Sequence, residues 1–190
     1  MQRGANGING WPALLSDATD DLLRDNATTL SAPFTGADRP CTWLIVAQLA
    51  TAGSQGVFMS FGRAASSNPS FRLGLSSTDN LRITRSDDTA AQKSVTSPLV
   101  VAVGVPFVAL CRFSGTEGDI WVNGVQVARG DLDVGTATFD LFSTFARRGP
   151  TTGNRLPGKI AHLTQFVGTP DDYQARLLSR GAMNLYRIPG

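Results

Sequence analysis

The sequence predicts an all-β protein: a two-sheet antiparallel β-sandwich, or jelly roll, with one short C-terminal helix. Three observations predict it. The run FVALCRFSGTEGDIWVNGVQVA, Phe107–Ala128, alternates apolar and polar residues, turns at Ser114–Gly118, and turns again at Asn123-Gly124. Asn-Gly suits a two-residue type I′ turn, because both central positions need positive φ, which Gly takes freely and Asn takes at low cost. Short apolar segments of the same kind recur along the chain between Gly-, Pro-, Asn- and Asp-rich breaks, a spacing that favours a sandwich over a bundle or a parallel α/β fold. The acidic residues are fourteen Asp and a single Glu, Glu117. Asp suits turns and caps whereas Glu suits helix interiors, so the imbalance speaks for loops and strands.

Residues Met1–Gly10 are Gly- and Asn-rich and read as extended, and Pro12–Leu15 as a short strand before the Asp-rich turn Ser16–Asp21. A return through Leu22-Leu23 follows, and Pro33–Pro40 is a loop. Cys41–Leu49, CTWLIVAQL, is almost continuously apolar and rich in β-branched and aromatic residues, the pattern of a central strand covered on both faces. Val57–Arg63, Phe71–Ser77, Asn80–Ser86 and a weaker Ala90–Ser94 are the next strands. Phe71, Leu73 and Leu75 share one face, as do Leu81 and Ile83, which sends Arg72, Arg82 and Arg85 mostly to the wet side, although Arg85 has the parity of Leu81 and Ile83. Leu99–Val105 is a further segment stopped by Pro106, then come the opening run, Thr138–Phe145, a loop at Arg147–Gly158, and a last strand at Lys159–Val167. Beyond it, Thr169 is placed to cap a helix with Pro170 at its first position and Asp171 and Asp172 in its first turn, ending at Gly181. Trp43, Phe61, Phe71, Phe107, Phe113 and Phe139 are the expected filling between the sheets.

The chain of 190 residues is expected to form one domain over residues 1–190, with 1–12 as an N-terminal arm and 169–190 as helix and tail. A formal charge of +2, with only the pair Arg147-Arg148 adjacent among the basic residues, argues against a nucleic-acid partner. No apolar run reaches eighteen residues, so no membrane partner is expected, and the N-terminus lacks the apolar core of a signal peptide. Cys41 and Cys111 fall in separate strands, where they are two buried thiols or one disulfide between adjacent strands.

The stretch Asn6–Leu23, the strand CTWLIVAQL, the hairpin GDIWVNGVQVA and the ending LPGKIAHLTQFVGTPDDYQARLLSRGAMNLYRI resemble a laminin-G-like, concanavalin A-like lectin/glucanase domain. In such domains the last strand carries a G-x-I-A-E-like pattern followed by a capped helix, which here falls on Gly158, Ile160, Ala161 and His162, then Thr169 to Asp172. The resemblance covers almost the whole chain and bears on fold more than on activity. Domains of this kind occur in bacterial surface proteins and in structural proteins of tailed phages.

The glucanase branch of that family carries spaced carboxylates on one strand, and none is present here. Glycoside hydrolysis needs two carboxyl groups at a defined separation, yet Glu117 sits in a turn beside Asp119, and Asp20-Asp21, Asp87-Asp88 and Asp171-Asp172 are turn or cap pairs. His162, the one histidine, has no partner spacing for a nucleophilic triad. The expectation is a protein that is not an enzyme, has no catalytic residues and has no cofactor. The resemblance leaves room for calcium, with Asp17, Asp20 and Asp21, or Asp131 and Asp133, as oxygen clusters, neither of them an EF-hand. A chain without linker, second domain or export signal, yet resembling a domain attached to larger proteins, is expected to be a virion component: a capsid-decorating, tail or fibre-associated subunit located in the virion and contacting other virion proteins or copies of itself. The alternative is a carbohydrate-binding or host-adhesion module for a surface glycan, with Trp11, Trp121 and Tyr186 as stacking residues.

Overall fold

The computed structural model describes residues 3–17, 19, 23–25, 30–37, 39–53, 55–145 and 155–190. In chain order they form β1 (Arg3–Ile8), β2 (Trp11–Ser16), β3 (Leu23–Asp25), a 3₁₀ turn (Ala32–Phe34), β4 (Cys41–Leu49), β5 (Val57–Arg63), β6 (Ser66–Leu75), β7 (Asn80–Ser86), β8 (Gln92–Val100), β9 (Pro106–Phe113), β10 (Glu117–Val122), β11 (Val125–Asp131), β12 (Leu141–Thr144), β13 (Gly158–Val167) and α1 (Asp172–Tyr186). The strands make a seven-stranded sheet, β1-β2-β13-β4-β9-β10-β11, and a six-stranded sheet, β3-β12-β5-β6-β7-β8. Neighbouring strands pair antiparallel, so this is the two-sheet sandwich with a C-terminal helix that the sequence predicts.

Alternation divides β4 between two cores. Cys41, Trp43, Ile45, Ala47 and Leu49 enter the core between the sheets, where the Trp43 ring lies 4.3 Å from Phe71 and 5.3 Å from Phe61. Leu44 and Val46 point the other way, into a second core with Val108, Leu110, Trp121, Ala175, Met183 and Tyr186. Helix α1 therefore covers the outer face of the seven-stranded sheet, and that cover is why β4 reads as an unbroken apolar run. All six predicted aromatic core residues are buried between the sheets. Cys41 and Cys111 are buried free thiols. Trp43 pairs with Cys111 and Cys41 with Phe113, so the two thiols are diagonal neighbours on one face, a spacing too wide for a disulfide.

The Asn123-Gly124 turn has φ of 48° and 78°, as a type I′ turn requires. Asn123 adds a side-chain bond, its Oδ1 accepting from the Val108 backbone N–H at 2.9 Å.

Several boundaries differ from the sequence reading. The predicted segments Ala90–Ser94 and Leu99–Val105 become one strand, β8, and an irregular connection, because β7 offers it a long antiparallel partner across a bulge. The helix cap is Asp171 rather than Thr169: its carboxylate accepts from the Gln174 N–H at 2.8 Å, and Gln174 Oε1 accepts from the Asp171 N–H at 3.1 Å. The helix runs through Gly181 to Tyr186 because Ala182, Met183 and Tyr186 still face the sheet. Arg85, expected on the wet side, lies inside the sandwich, following its parity with Leu81 and Ile83. Its guanidinium donates to the carbonyl oxygens of Leu132, Gly36, Ala37 and Gly135 and lies 4.8 Å from the centre of the Phe113 ring. Carbonyls and an aromatic face replace the water that parity denies it.

Candidate functional site

The two outer faces of the sandwich differ in chemistry. Helix α1 closes much of the outer face of the seven-stranded sheet over apolar side chains. On the six-stranded sheet, inward Phe61, Phe71, Leu73, Leu81 and Ile83 alternate with outward Ser60, Arg72, Arg82 and Thr84. Register sets these polar residues in rows: Ser143, Ser60, Arg72, Thr84 and Ser94 lie across five neighbouring strands. Their hydroxyls pair along the rows, Ser60 with Ser143 at 2.8 Å and Thr84 with Ser94 at 2.9 Å, while Ser70 and Ser86 pair at 2.9 Å in the next row.

On the other side of the Arg72–Thr84 row, Gly74 stands opposite Arg82. A Cβ at Gly74 would come within 2.2 Å of the Gly56 carbonyl oxygen, so only glycine lets the β4–β5 connection close on β6 here. The result is a slot lined by Gln55, Arg72, Gly74, Arg82 and Thr84. Arg72 Nη2 donates to Gln92 Oε1 at 3.0 Å. Arg82 is half-buried, and among the described residues its guanidinium has no hydrogen-bond or ion-pair partner. The enclosed space is about 10 Å³, room for one oxygen of an anion and not for a ring. A larger ligand has to lie across the face and put one anionic group into the slot.

The sequence-predicted aromatic residues do not form a sugar platform. Trp121 is buried under α1 with its Nε1–H donated to Asp119 at 3.0 Å. Tyr186 is buried in the same core, its pKa raised by that burial. Trp11 alone is exposed, at 40%, with its ring 5.4 Å from that of Tyr186. His162 is half-buried beside them, its Nε2 2.7 Å from Thr164 Oγ1, and desolvation lowers its pKa.

The other charged candidates are committed to neighbours. Glu117 is exposed and paired with Arg129. Asp119 accepts from Arg112 Nε at 3.0 Å and Nη2 at 2.5 Å, and the same Arg112 reaches Asp172 at 2.6 Å and the Pro170 carbonyl at 2.6 Å. Burial works against the Arg112 charge, but hydrogen bonds to Asp119 and Asp172 outweigh it and raise its pKa. Asp131 is held by Lys93 at 2.6 Å and accepts from the Asp133 backbone N–H at 2.8 Å. Asp17 accepts from the Thr19 N–H at 2.7 Å. Among the described residues no three His, Cys, Asp or Glu side chains group as metal ligands. Asp20, Asp21 and Arg147-Arg148 lie outside the described residues.

Residues 20–168 match the profile of the concanavalin A-like lectin/glucanases superfamily, and the chain belongs to that superfamily. No curated protein sequence matches it. Among solved structures, the fold is similar to the CBM40 of the Ruminococcus gnavus IT-sialidase bound to α2,3-sialyllactose, with a TM-score of 0.74 and 12% identity over 88% of this chain and 95% of that one. It is also similar to part of the NanB sialidase of Streptococcus pneumoniae, with a TM-score of 0.70 and 12% identity over 86% of this chain and 27% of that one. A third likeness is the heptameric SAP-like pentraxin of Limulus polyphemus, with a TM-score of 0.59 and 14% identity over 76% of this chain and 71% of that one.

These likenesses overturn the expectation of a virion structural subunit. The three folds compared belong to a sialidase-associated carbohydrate module, a sialidase and a pentraxin, and none of the three is a capsid, tail or fibre protein. The sequence places Arg72 and Arg82 on the wet face but assigns them no role, and the close approach of the Gly56 carbonyl that only Gly74 permits beside them is the feature it does not reveal.

Proposed function

We propose that this chain is a non-catalytic carbohydrate-binding module that takes an acidic sugar across the outer face of its six-stranded sheet. The observation that carries this reading is the half-buried Arg82 beside Arg72, in a slot sized for one anionic oxygen. A guanidinium matches a carboxylate in charge and in planar geometry. Of the hydroxyls in the neighbouring rows only Ser94, on the edge strand, is exposed to meet a sugar, whereas Ser60, Ser70, Thr84, Ser86 and Ser143 are buried. The likeness to a module solved with sialyllactose supports the same class of ligand. Titration calorimetry with sialyllactose and with lactose tests it: the acidic sugar should bind and the neutral one should bind at least about tenfold more weakly, the measure of one lost charge-assisted contact. Equal affinities, or none for either sugar, would refute the reading.

A further inference from the structure

The arginine slot has one closed side and one open side. In its row across the six-stranded sheet, Arg82 on β7 is flanked by Gly74 of β6 and Thr96 of β8. On the β6 side the Gly56 carbonyl lies over Gly74 and accepts from the Leu75 N–H at 2.8 Å, so backbone fills the space above that strand. On the other side β8 is the last strand of the sheet, and Thr96 is exposed. A ligand whose anionic group meets Arg82 therefore has to run outward over β8.

The edge strand meets such a ligand with hydroxyls. Val95 and Ser97 are buried and point between the sheets, which sends Ser94 and Thr96 to the outer face, where both are exposed. Thr96 pairs with Arg82 and Ser94 with Thr84 in a regular stretch of ladder, because the bulge of this strand pair falls beyond Thr96. Among the described residues the Thr96 hydroxyl has no hydrogen-bond partner. Ser94 Oγ lies 2.9 Å from Thr84 Oγ1 and, with one donor and two acceptor sites, keeps capacity for a further bond. Directly opposite residues on one face are about 5 Å apart at Cβ, and residues two apart along a strand about 7 Å. Arg82, Thr96 and Ser94 thus mark a triangle within the reach of one sugar ring and its substituents.

Resting on the acidic-sugar reading above, we infer that Thr96, with Ser94 beside it, determines the specificity of this site: Arg82 takes the carboxylate, and the two edge hydroxyls bind hydroxyl groups of the same sugar ring. The charge in the slot attracts any carboxylate, whereas hydroxyls that a plain ring cannot answer set the preference among carboxylates. The site reads a hydroxylated anion rather than an anion alone.

The test compares the α-methyl glycoside of N-acetylneuraminic acid with cyclohexanecarboxylate, a ring acid without hydroxyls, by NMR chemical-shift titration. The wild-type chain should bind the sugar acid at least about tenfold more tightly than the plain acid. Thr96→Val, at an exposed site, should weaken binding of the sugar acid about fivefold, the measure of one neutral hydrogen bond, and leave both the plain acid and the melting temperature unchanged. Thr96→Ser restores the hydroxyl and should bind as the wild type does. The inference falls if Thr96→Val binds the sugar acid like the wild type, if it loses both acids alike, or if the wild type does not prefer the sugar acid. Wild-type protein that binds neither sialyllactose nor the glycoside would instead sink the acidic-sugar reading on which the inference rests.

Discussion

Arg112 on β9 and Asp119 on β10 stand directly opposite one another, and the guanidinium grips the carboxylate through Nε at 3.0 Å and Nη2 at 2.5 Å. The same guanidinium reaches the start of α1 through Asp172 and the Pro170 carbonyl, and lies 5.2 Å from the centre of the Trp121 ring. One buried ion pair therefore ties the helix to the seven-stranded sheet. Asp119→Ala leaves Arg112 and the Trp121 N–H without that carboxylate, and the expected loss is about 3–5 kcal/mol, the range for breaking one side of a buried pair. Urea unfolding checks it, and a midpoint within error of wild type would mean that the helix docks by apolar contact alone.

Arg85 sits on the other side of that sheet, in the main core, and binds the 36–37 and 132–135 connections through their carbonyls. Arg85→Met keeps much of the volume but removes every donor, so one buried and three partly buried carbonyls lose their bonds and the domain should lose at least about 2 kcal/mol. Arg176→Met, at an exposed helix position, is the control and should lie within about 0.5 kcal/mol of wild type. Equal stability for the two variants would show that water reaches the Arg85 carbonyls.

His162 sets a pH dependence whose sign follows from its lowered pKa. Burial disfavours the charged imidazole in the native state, while the unfolded chain takes up its proton near the ordinary value of 6.5. As pH falls below that value the unfolded state binds more protons, so stability drops until the native pKa is also passed, and above it the contribution is fully present. Melting temperatures measured from about pH 8 to about pH 5 should fall more steeply for wild type than for His162→Gln. Parallel curves would show that the imidazole titrates alike in both states.

Arg82→Gln should weaken sialyllactose binding about tenfold with little change in melting temperature, because its side chain has no described protein partner to lose. The wild-type affinity should also fall as salt rises through the physiological range, since the attraction is between charges at a surface. Calorimetry at two salt concentrations reads both effects. An Arg82→Gln protein with wild-type affinity would place the acidic group elsewhere.

Much of the scaffold was legible in local chemistry. The Asn123-Gly124 turn, the unbroken apolar run of β4 and the alternation in β6 and β7 each specify backbone geometry through their own side chains. The helix start was read two residues early because Thr169, Asp171 and Asp172 all have capping chemistry, and only the geometry at Gln174 decides among them. The candidate site was less legible. Trp11, Trp121 and Tyr186 looked like stacking residues by type, yet two of them serve the core beneath α1. Arg72 and Arg82 looked like ordinary wet-face charges.

By itself, the sequence determined that this is an antiparallel sandwich with one terminal helix, because strand alternation, turn residues and caps act over a few neighbours. Tertiary structure decided which face α1 covers, that Arg85 turns inward, and that the Gly56 carbonyl closes over Gly74 beside Arg72 and Arg82. Those outcomes depend on the register between strands and on which surface finds a covering partner. Both are set by contacts between residues far apart in the chain.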